Sequence, residues 1–149
     1  MIAASTNTIV MWDLGSFAKV GEYKGANEFK CIELVQGGDM LFAGTKGTST
    51  TGALLIFDLR KSAMQPIDEK EKNGDIFSIT STPDFVFTGN RNHSVNPFSL
   101  KQWTTMPPLQ APHFDAVSSL TVLKSDVLVS GGKDKNLRVY NTLLNNVIY

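Results

Sequence analysis

Apolar residues in this chain come in short bursts, and four of the bursts end alike. "TIVMWDL" ends on Trp12-Asp13, "ALLIFDL" on Phe57-Asp58, "SVNPFSL" on Phe98-Ser99 and "NLRVYNT" on Tyr140-Asn141. Each is an apolar run closed by an aromatic and a small polar residue. The aromatics lie 45, 41 and 42 residues apart, and a fixed period of that size marks a repeat architecture. The interior of each period agrees. "VLVSGGKDKNLRVYN" aligns without a gap on "FVFTGNRNHSVNPFS", placing Ser130 on Thr88, Gly131 on Gly89, Asp134 on Asn92 and Tyr140 on Phe98. "MLFAGTKGTSTTGALLIFD" keeps the frame with four extra residues, and "MIAASTNTIVMWD" keeps it again.

A β-rich run precedes three of these units ("FKCIELV", "IFSITST", "VSSLTVL"), and another follows each ("AKVGEY", "AMQPID", "WTTMPP", "NVIY"). Val, Ile, Phe and Thr dominate the runs, Gly, Asn, Asp and Lys separate them, and no apolar stripe of 3.6-residue period reaches helix length. The chain therefore reads as all-β, with four short antiparallel strands per period. The predicted units are 1–23 with three strands, then 27–68, 74–109 and 113–149 with four each.

Composition narrows the function classes. The chain has 149 residues, 42% hydrophobic and 19% charged, which suits a packed core rather than disorder. Fourteen basic side chains balance fourteen acidic ones, so bulk charge draws it to neither nucleic acid nor an acidic membrane. The single cysteine, Cys31, excludes an internal disulfide and a cysteine metal cluster, and it reads as a buried small residue of an inner strand. No run approaches the ~20 apolar residues of a helical span, and "MIAASTNTIV" lacks the features of a signal peptide. The expected setting is cytoplasmic.

The period, the aromatic-Asp beat and four strands per unit resemble the WD-repeat (WD40) proteins, whose fold is a β-propeller of four-stranded blades. The resemblance covers nearly the whole chain and implies a partial propeller of about 3.75 blades. Trp12, Phe57, Phe98 and Tyr140 are then the blade aromatics, filling the gap between stacked blades. The family's blades often carry a polar tetrad, matched best in the last period by His113, Ser130, Asp134 and Tyr140, with Tyr in place of Trp. The third period departs, having no His before its first strand and Asn92 in place of Asp. More narrowly, "AASTNTIVMWDLGSF" with "PHFDAVSSLTVL…LVSGGKDKNLRVYN" is similar to the tail propeller of kinesins that carry WD repeats. That similarity implies a microtubule-motor context, with tubulin, cargo or the motor's own coiled coil as partners. "IFDLR", ending on Arg60, resembles the W-D-x-R element by which some WD proteins dock onto cullin-ring ubiquitin ligases, which would make the chain a substrate receptor.

In such a fold, two sets of loops share one face: 45–53, 91–93 and 133–136, with 68–75 and 110–115. Binding residues favour loops on rigid scaffolds. The candidate partner face comprises Lys46, Arg91, His93, Phe114, Lys133 and Lys135, with the acidic pair Asp68-Glu69 beside them; taken singly, each is equally a solvated turn residue. "DEKEKNGD" alternates charge and reads as a soluble turn. "TKGTSTTG" lacks the order of a phosphate-binding loop. His93 and His113 have no carboxylate cluster nearby in sequence, so no metal or cofactor is expected. No nucleophile elbow is present. The chain thus reads as a non-catalytic interaction scaffold; the competing class is a propeller enzyme such as a hydrolase.

Two further expectations concern the frame. Proline cannot donate to a ladder, so Pro97 in a strand paired on both sides predicts a bulge, while Pro107 and Pro108 are expected on an outer strand. Blade faces are apolar because neighbours cover them, so 3.75 blades predict a fragment of a larger ring, or self-association through an apolar interface above ~2,000 Å².

Overall fold

The computed structural model describes residues 1–46, 54–70, 74–124, 126–142 and 146–148. It is all-β, with four antiparallel sheets among the described residues. The first holds β1 (Ile2–Ser5), β2 (Thr8–Trp12) and β3 (Lys19–Lys24). The second holds β4 (Phe29–Val35), β5 (Met40–Thr45), β6 (Leu54–Asp58) and β7 (Pro66–Lys70). The third holds β8 (Ile76–Ser81), β9 (Phe85–Asn90), β10 (Val95–Ser99) and β11 (Thr104–Thr105). The fourth holds β12 (Val117–Lys124), β13 (Val127–Gly132), β14 (Leu137–Asn141) and β15 (Asn146–Val147). Within each sheet, strands neighbour one another in chain order.

The sheets pack face to face in sequence. In each of the three contacts the trailing face of the earlier sheet is covered by the leading face of the later one. Ile9, with Ile2 and Ala4, meets Phe29, Leu41, Leu55 and Phe57. Met40, Phe42, Leu54 and Ile56 meet Ile76, Val86 and Phe98. Phe87, Val95 and Leu109 meet Val117, Leu128 and Tyr140. This explains why β5, "MLFAGT", is apolar almost throughout: sheets cover both of its faces, and all six residues are buried. The outer strand β7 alternates half-buried and exposed residues, the pattern of a strand with one covered face. Burying one such aromatic or aliphatic side chain contributes roughly 1.5–3 kcal/mol.

Two devices recur in the four-stranded sheets. The first strand of each slips register near its start, between Phe29 and Cys31, Ile76 and Ser78, and Val117 and Ser119. Across from each slip stands a glycine: Gly44, Gly89 or Gly131. A Cβ on Gly44 would lie 2.6 Å from Ile76 Cγ2, and one on Gly89 would lie 2.9 Å from Val117 Cγ1. Glycine is there because the next sheet's first strand crosses directly over it.

The Pro97 bulge does not form. Val95 to Ser99 pair with Gly89 to Phe85 without a slip. Pro97's carbonyl accepts from Met106 N on the outer side, so its nitrogen faces that way too, and the β9 ladder loses no donor. The outer strand gives way instead: β11 is two residues long, and Pro107 and Pro108 lie beyond it, exposed.

Candidate interaction face and its polar support

The turns joining second to third strands lie beside the segments leading into the first strands, tied by backbone bonds. Lys46 N donates to Glu28 O, Arg91 N to Asp75 O (2.8 Å) and Lys133 N to Ala116 O (2.8 Å). These three basic residues each stand two past the repeated glycine, so the register places one cation at the same corner of each four-stranded sheet. Lys46 lies 3.7 Å from Glu28, and Arg91 lies 3.5 Å from Asp75. In the fourth sheet the acid's position is Ala116, and Lys133 sits instead over the Phe77 ring, 5.1 Å from its centroid. Among the described residues Lys133 thus lacks the carboxylate that Lys46 and Arg91 have.

Phe114 lies on the same corner. Its ring is 79% exposed, yet its backbone N–H donates to Asp134 Oδ2 at 2.9 Å and the Arg138 guanidinium lies 5.5 Å from its centroid. Arg138 Nε is buried without a hydrogen-bond partner. Lys135, at φ +67°, is exposed on the adjoining turn. One exposed aromatic is therefore held in place beside Arg138, with Lys133 and Lys135 on the turn that also carries Asp134 and with Asp115 as the neighbouring exposed acid. His93, also at positive φ and exposed, gives its carbonyl to His113 N at 3.0 Å. Lys46 and Arg91 belong to the neighbouring sheets' corners. Residues 47–53 and 71–73 of the two charged or Gly-rich loops lie outside the described residues. Asp68 sits on β7, where it accepts from Trp103 Nε1 at 2.9 Å and pairs with Lys70.

Beneath Phe114 the structure brings His113, Ser130 and Asp134 together. His113 Nδ1 is 3.0 Å from both Asp134 oxygens, and Nε2 is 2.6 Å from Ser130 Oγ. A carboxylate only accepts, so Nδ1 carries the proton, and in the neutral ring Nε2 accepts from the serine hydroxyl. Burial works against the Asp134 charge. The Phe114 N–H, His113 and the Asn136 N–H outweigh it and hold the carboxyl below the ordinary carboxylate range. Tyr140 donates its hydroxyl to Ala111 O at 3.2 Å. Burial pushes that phenol up, partly offset by Ser130 beside it. Gly132 makes room for the group: a Cβ there would meet His113 Nδ1.

The order Ser–His–Asp is that of a hydrolytic triad. Here Ser130 is 0% and His113 2% exposed, leaving no approach for a carbonyl carbon. The group fixes the 110–116 segment, and with it Phe114.

The third sheet solves the same problem with a residue the sequence reading passed over. Asn90 stands where Gly132 stands and is buried, and its amide donates to Thr88 Oγ1 at 3.1 Å. It does for Thr88 what the histidine ring does for Ser130. The gapless alignment pairs Asn90 with Gly132, and a buried-side amide in that column was the available signal. Trp103 was also missed. It packs edge-on against Phe42 and Phe98 and joins the third sheet to Asp68 of the second.

Of the repeat aromatics, Phe57, Phe98 and Tyr140 are buried (0%, 0% and 1% exposed), whereas Trp12 is half-buried. Those three rings lie on leading faces that cover a preceding sheet; the first sheet has none before it. Arg60 donates from Nε and Nη2 to Asp58, at 2.9 Å each, and its side chain is otherwise exposed. Cys31 is half-buried, with Sγ 3.7 Å from Ile76 O, and burial pushes its thiol up to about 12. No group of three or more His, Cys, Asp or Glu residues among the described residues could hold a metal ion. No helix of the described residues is long and apolar enough to cross a membrane.

No family model matches the chain. Two curated proteins are similar to it. The kinesin-like protein KIF21A of Homo sapiens is 27% identical over 95% of this chain, which spans 9% of that protein. The kinesin-related protein 8 of Dictyostelium discoideum is 38% identical over 32% of this chain, spanning 2% of that protein. Among solved structures, the crystal structure of the computationally designed Ika4 protein superposes with a TM-score of 0.78. It covers 94% of this chain and 83% of its own at 17% identity, a likeness of fold alone. The chain is thus an all-β protein with sequence similarity to a small part of kinesin-like proteins.

Proposed function

We propose that the chain is a non-catalytic interaction scaffold, built as part of a WD-type propeller and serving as a docking module of a kinesin-like protein in a cytoplasmic, cytoskeletal setting. The observation that carries this reading is Phe114: an aromatic residue four-fifths exposed, yet held through its backbone N–H by the buried Asp134–His113–Ser130 group, with the Arg138 guanidinium 5.5 Å from its ring. Rigid exposed aromatics beside arginine are the usual anchors of protein interfaces. The surplus of positive charge at this corner favours a partner surface rich in carboxylates. The similarity to kinesin-like proteins supports tubulin, cargo adaptors or a coiled coil as the class of partner. The burial of Ser130 supports the non-catalytic reading over a hydrolase.

Soluble tubulin offers the direct test, with binding to the 149-residue chain followed by fluorescence anisotropy. Phe114→Ala and Lys133→Glu/Lys135→Glu alter exposed side chains and leave the core intact. Expected is binding that weakens at least about tenfold in each variant and falls as salt rises. Absence of binding, or binding that ignores both variants, overturns the tubulin reading.

A further inference from the structure

Between β6 and β7 the chain turns through Leu59-Arg60-Lys61-Ser62-Ala63-Met64-Gln65. The turn belongs to the second sheet, whose two faces are both covered by neighbouring sheets. It is fastened at its ends: Leu59 N donates to Asp39 O at 2.8 Å, and Met64 packs into the apolar cluster of the first two sheets. Between these anchors it bonds to itself, Lys61 N to Asp58 O at 3.3 Å and Gln65 N to Ala63 O at 3.0 Å. Arg60, Lys61, Ser62 and Ala63 are exposed, and Ser62 lines a groove of about 280 Å³ with Met11, Val20, Arg60 and Met64. The hydroxyl is thus presented on a short loop with firm ends, outside the strand ladders.

A protein kinase holds the acceptor segment extended in its cleft, and acidic groups of the cleft read basic side chains just before the hydroxyl. Among the described residues three hydroxyls follow a Lys or Arg within three positions: Ser62 after Arg60 and Lys61, Ser94 after Arg91, and Thr104 after Lys101. The fold separates them. Ser94 is 9% exposed, and its Oγ donates to Asn92 Oδ1 at 2.7 Å. Thr104 is paired with Ser99 in the ladder of β10 and β11, so it would have to leave the sheet to reach a cleft. Of the three, Ser62 combines exposure, basic neighbours and freedom from a ladder.

We propose that Ser62 is a phosphorylation site for an arginine-directed protein kinase. Ser62 Oγ attacks the γ-phosphorus of ATP and gives its proton to the kinase's base. The new Oγ–P bond forms as the β–γ bridging P–O bond breaks, and ADP leaves. The phosphate brings a charge of about −1.5 to −2 at pH 7 and three acceptor oxygens. Asp58, Arg60 and Lys61 together carry one net positive charge, so the turn becomes negative. Arg60 holds Asp58 from Nε and Nη2, and a phosphate two residues on competes for the same guanidinium. The site lies at the opposite end of β6 from the loop face, so it is independent of what binds at Phe114.

Incubation of the folded 149-residue chain with ATP and the catalytic subunit of cAMP-dependent protein kinase, followed by intact-mass and fragment-ion spectrometry, tests this. Expected is one phosphoryl group per chain, on Ser62, with Ser94 and Thr104 unmodified. Ser62→Ala changes an exposed side chain, so the chain folds, and it is expected to abolish incorporation. Arg60→Ala gives up an exposed ion pair that adds little stability. It is expected to lower the kinase's kcat/KM for the chain at least about tenfold while the urea midpoint stays that of the parent. A folded chain that takes up no phosphate overturns the proposal. So does incorporation that Ser62→Ala leaves in place, uptake on Ser94 or Thr104 in preference to Ser62, or a rate indifferent to Arg60→Ala.

Discussion

Gly44→Ala is the sharpest probe of how the sheets meet. The added methyl would lie 2.6 Å from Ile76 Cγ2, 2.7 Å from Cys31 Sγ and 2.9 Å from Ile76 Cβ. Carbon atoms rest at about 3.5–4.0 Å, so the second and third sheets would have to part by roughly 1 Å along this seam. Ile76 is 1% exposed and has nowhere to turn. Overpacking of this kind costs about 1–3 kcal/mol. Alanine recovers about 0.5–1 kcal/mol of the entropy glycine loses in a strand, leaving a net loss of roughly 1–2 kcal/mol. In a chain of this size that lowers Tm by about 2–8 °C. Gly131→Ala is the matched control. Its methyl meets Ser119 Oγ at 2.6 Å and Leu137 Cδ2 at 3.5 Å, but Ser119 is exposed and its hydroxyl can rotate away, so the expected change is within about 0.5 kcal/mol. Urea unfolding followed by tryptophan fluorescence reads both. Ile76→Ala in the Gly44→Ala background removes Cγ2 and should show a favourable coupling above about 0.5 kcal/mol. Equal stability of Gly44→Ala and the parent, or equal losses at Gly44 and Gly131, would refute the seam as described.

Phe57→Ala removes a fully buried ring between the first and second sheets and should cost about 3–5 kcal/mol, measured by the same denaturation. Ser130→Ala strands the His113 Nε2 and should cost about 1–3 kcal/mol; parent-like stability would show that the buried bond contributes nothing net. Asp134 has its carboxyl pKa depressed by folding, so its contribution is complete above the ordinary aspartate pKa of about 3.9 and is lost as pH falls below it. Asp134→Asn should therefore flatten the loss of Tm between pH 5 and pH 3, and an unchanged slope in thermal melts would contradict this. Cys31, its thiol pushed up to about 12 by burial, should resist iodoacetamide at pH 8 in the folded chain and react on unfolding.

The repeat was legible because every sheet meets the same geometric demand, and a demand repeated four times leaves a period in the sequence. Gly44, Gly89 and Gly131 recur because each stands opposite the register slip of its sheet's first strand, where a Cβ would meet that strand's side chain, and Phe57, Phe98 and Tyr140 because each fills the same seat. His113, Ser130 and Asp134 could be picked out as one set, since a buried polar group needs partners at fixed offsets. The exceptions follow from what a single strand does not record. Trp12 reads as a core ring, but its burial depends on a sheet before it. The effect of Pro97 depends on which side its nitrogen faces, and that is set by pairing parity. Asn90 replaces a histidine that reaches in from another segment, a substitution across the chain rather than along it. Lys133 looks like Lys46 and Arg91 in sequence and differs from them because Ala116 stands where they find an acid.

Among the described residues the strand ladders close within one sheet, and the apolar clusters join sheets that follow one another in chain order. Such a molecule behaves nearly as a one-dimensional stack, each layer stabilised by the one before and the one after. Opening then starts where a layer has one neighbour and reaches the middle last. Amide exchange should accordingly fall in a graded profile. The second and third sheets, β5 and β9 above all, should protect for longest, while β1–β3 and the outer pair β14–β15 should exchange early. Folding should be quick for a β protein, because most of its pairings join strands adjacent in sequence.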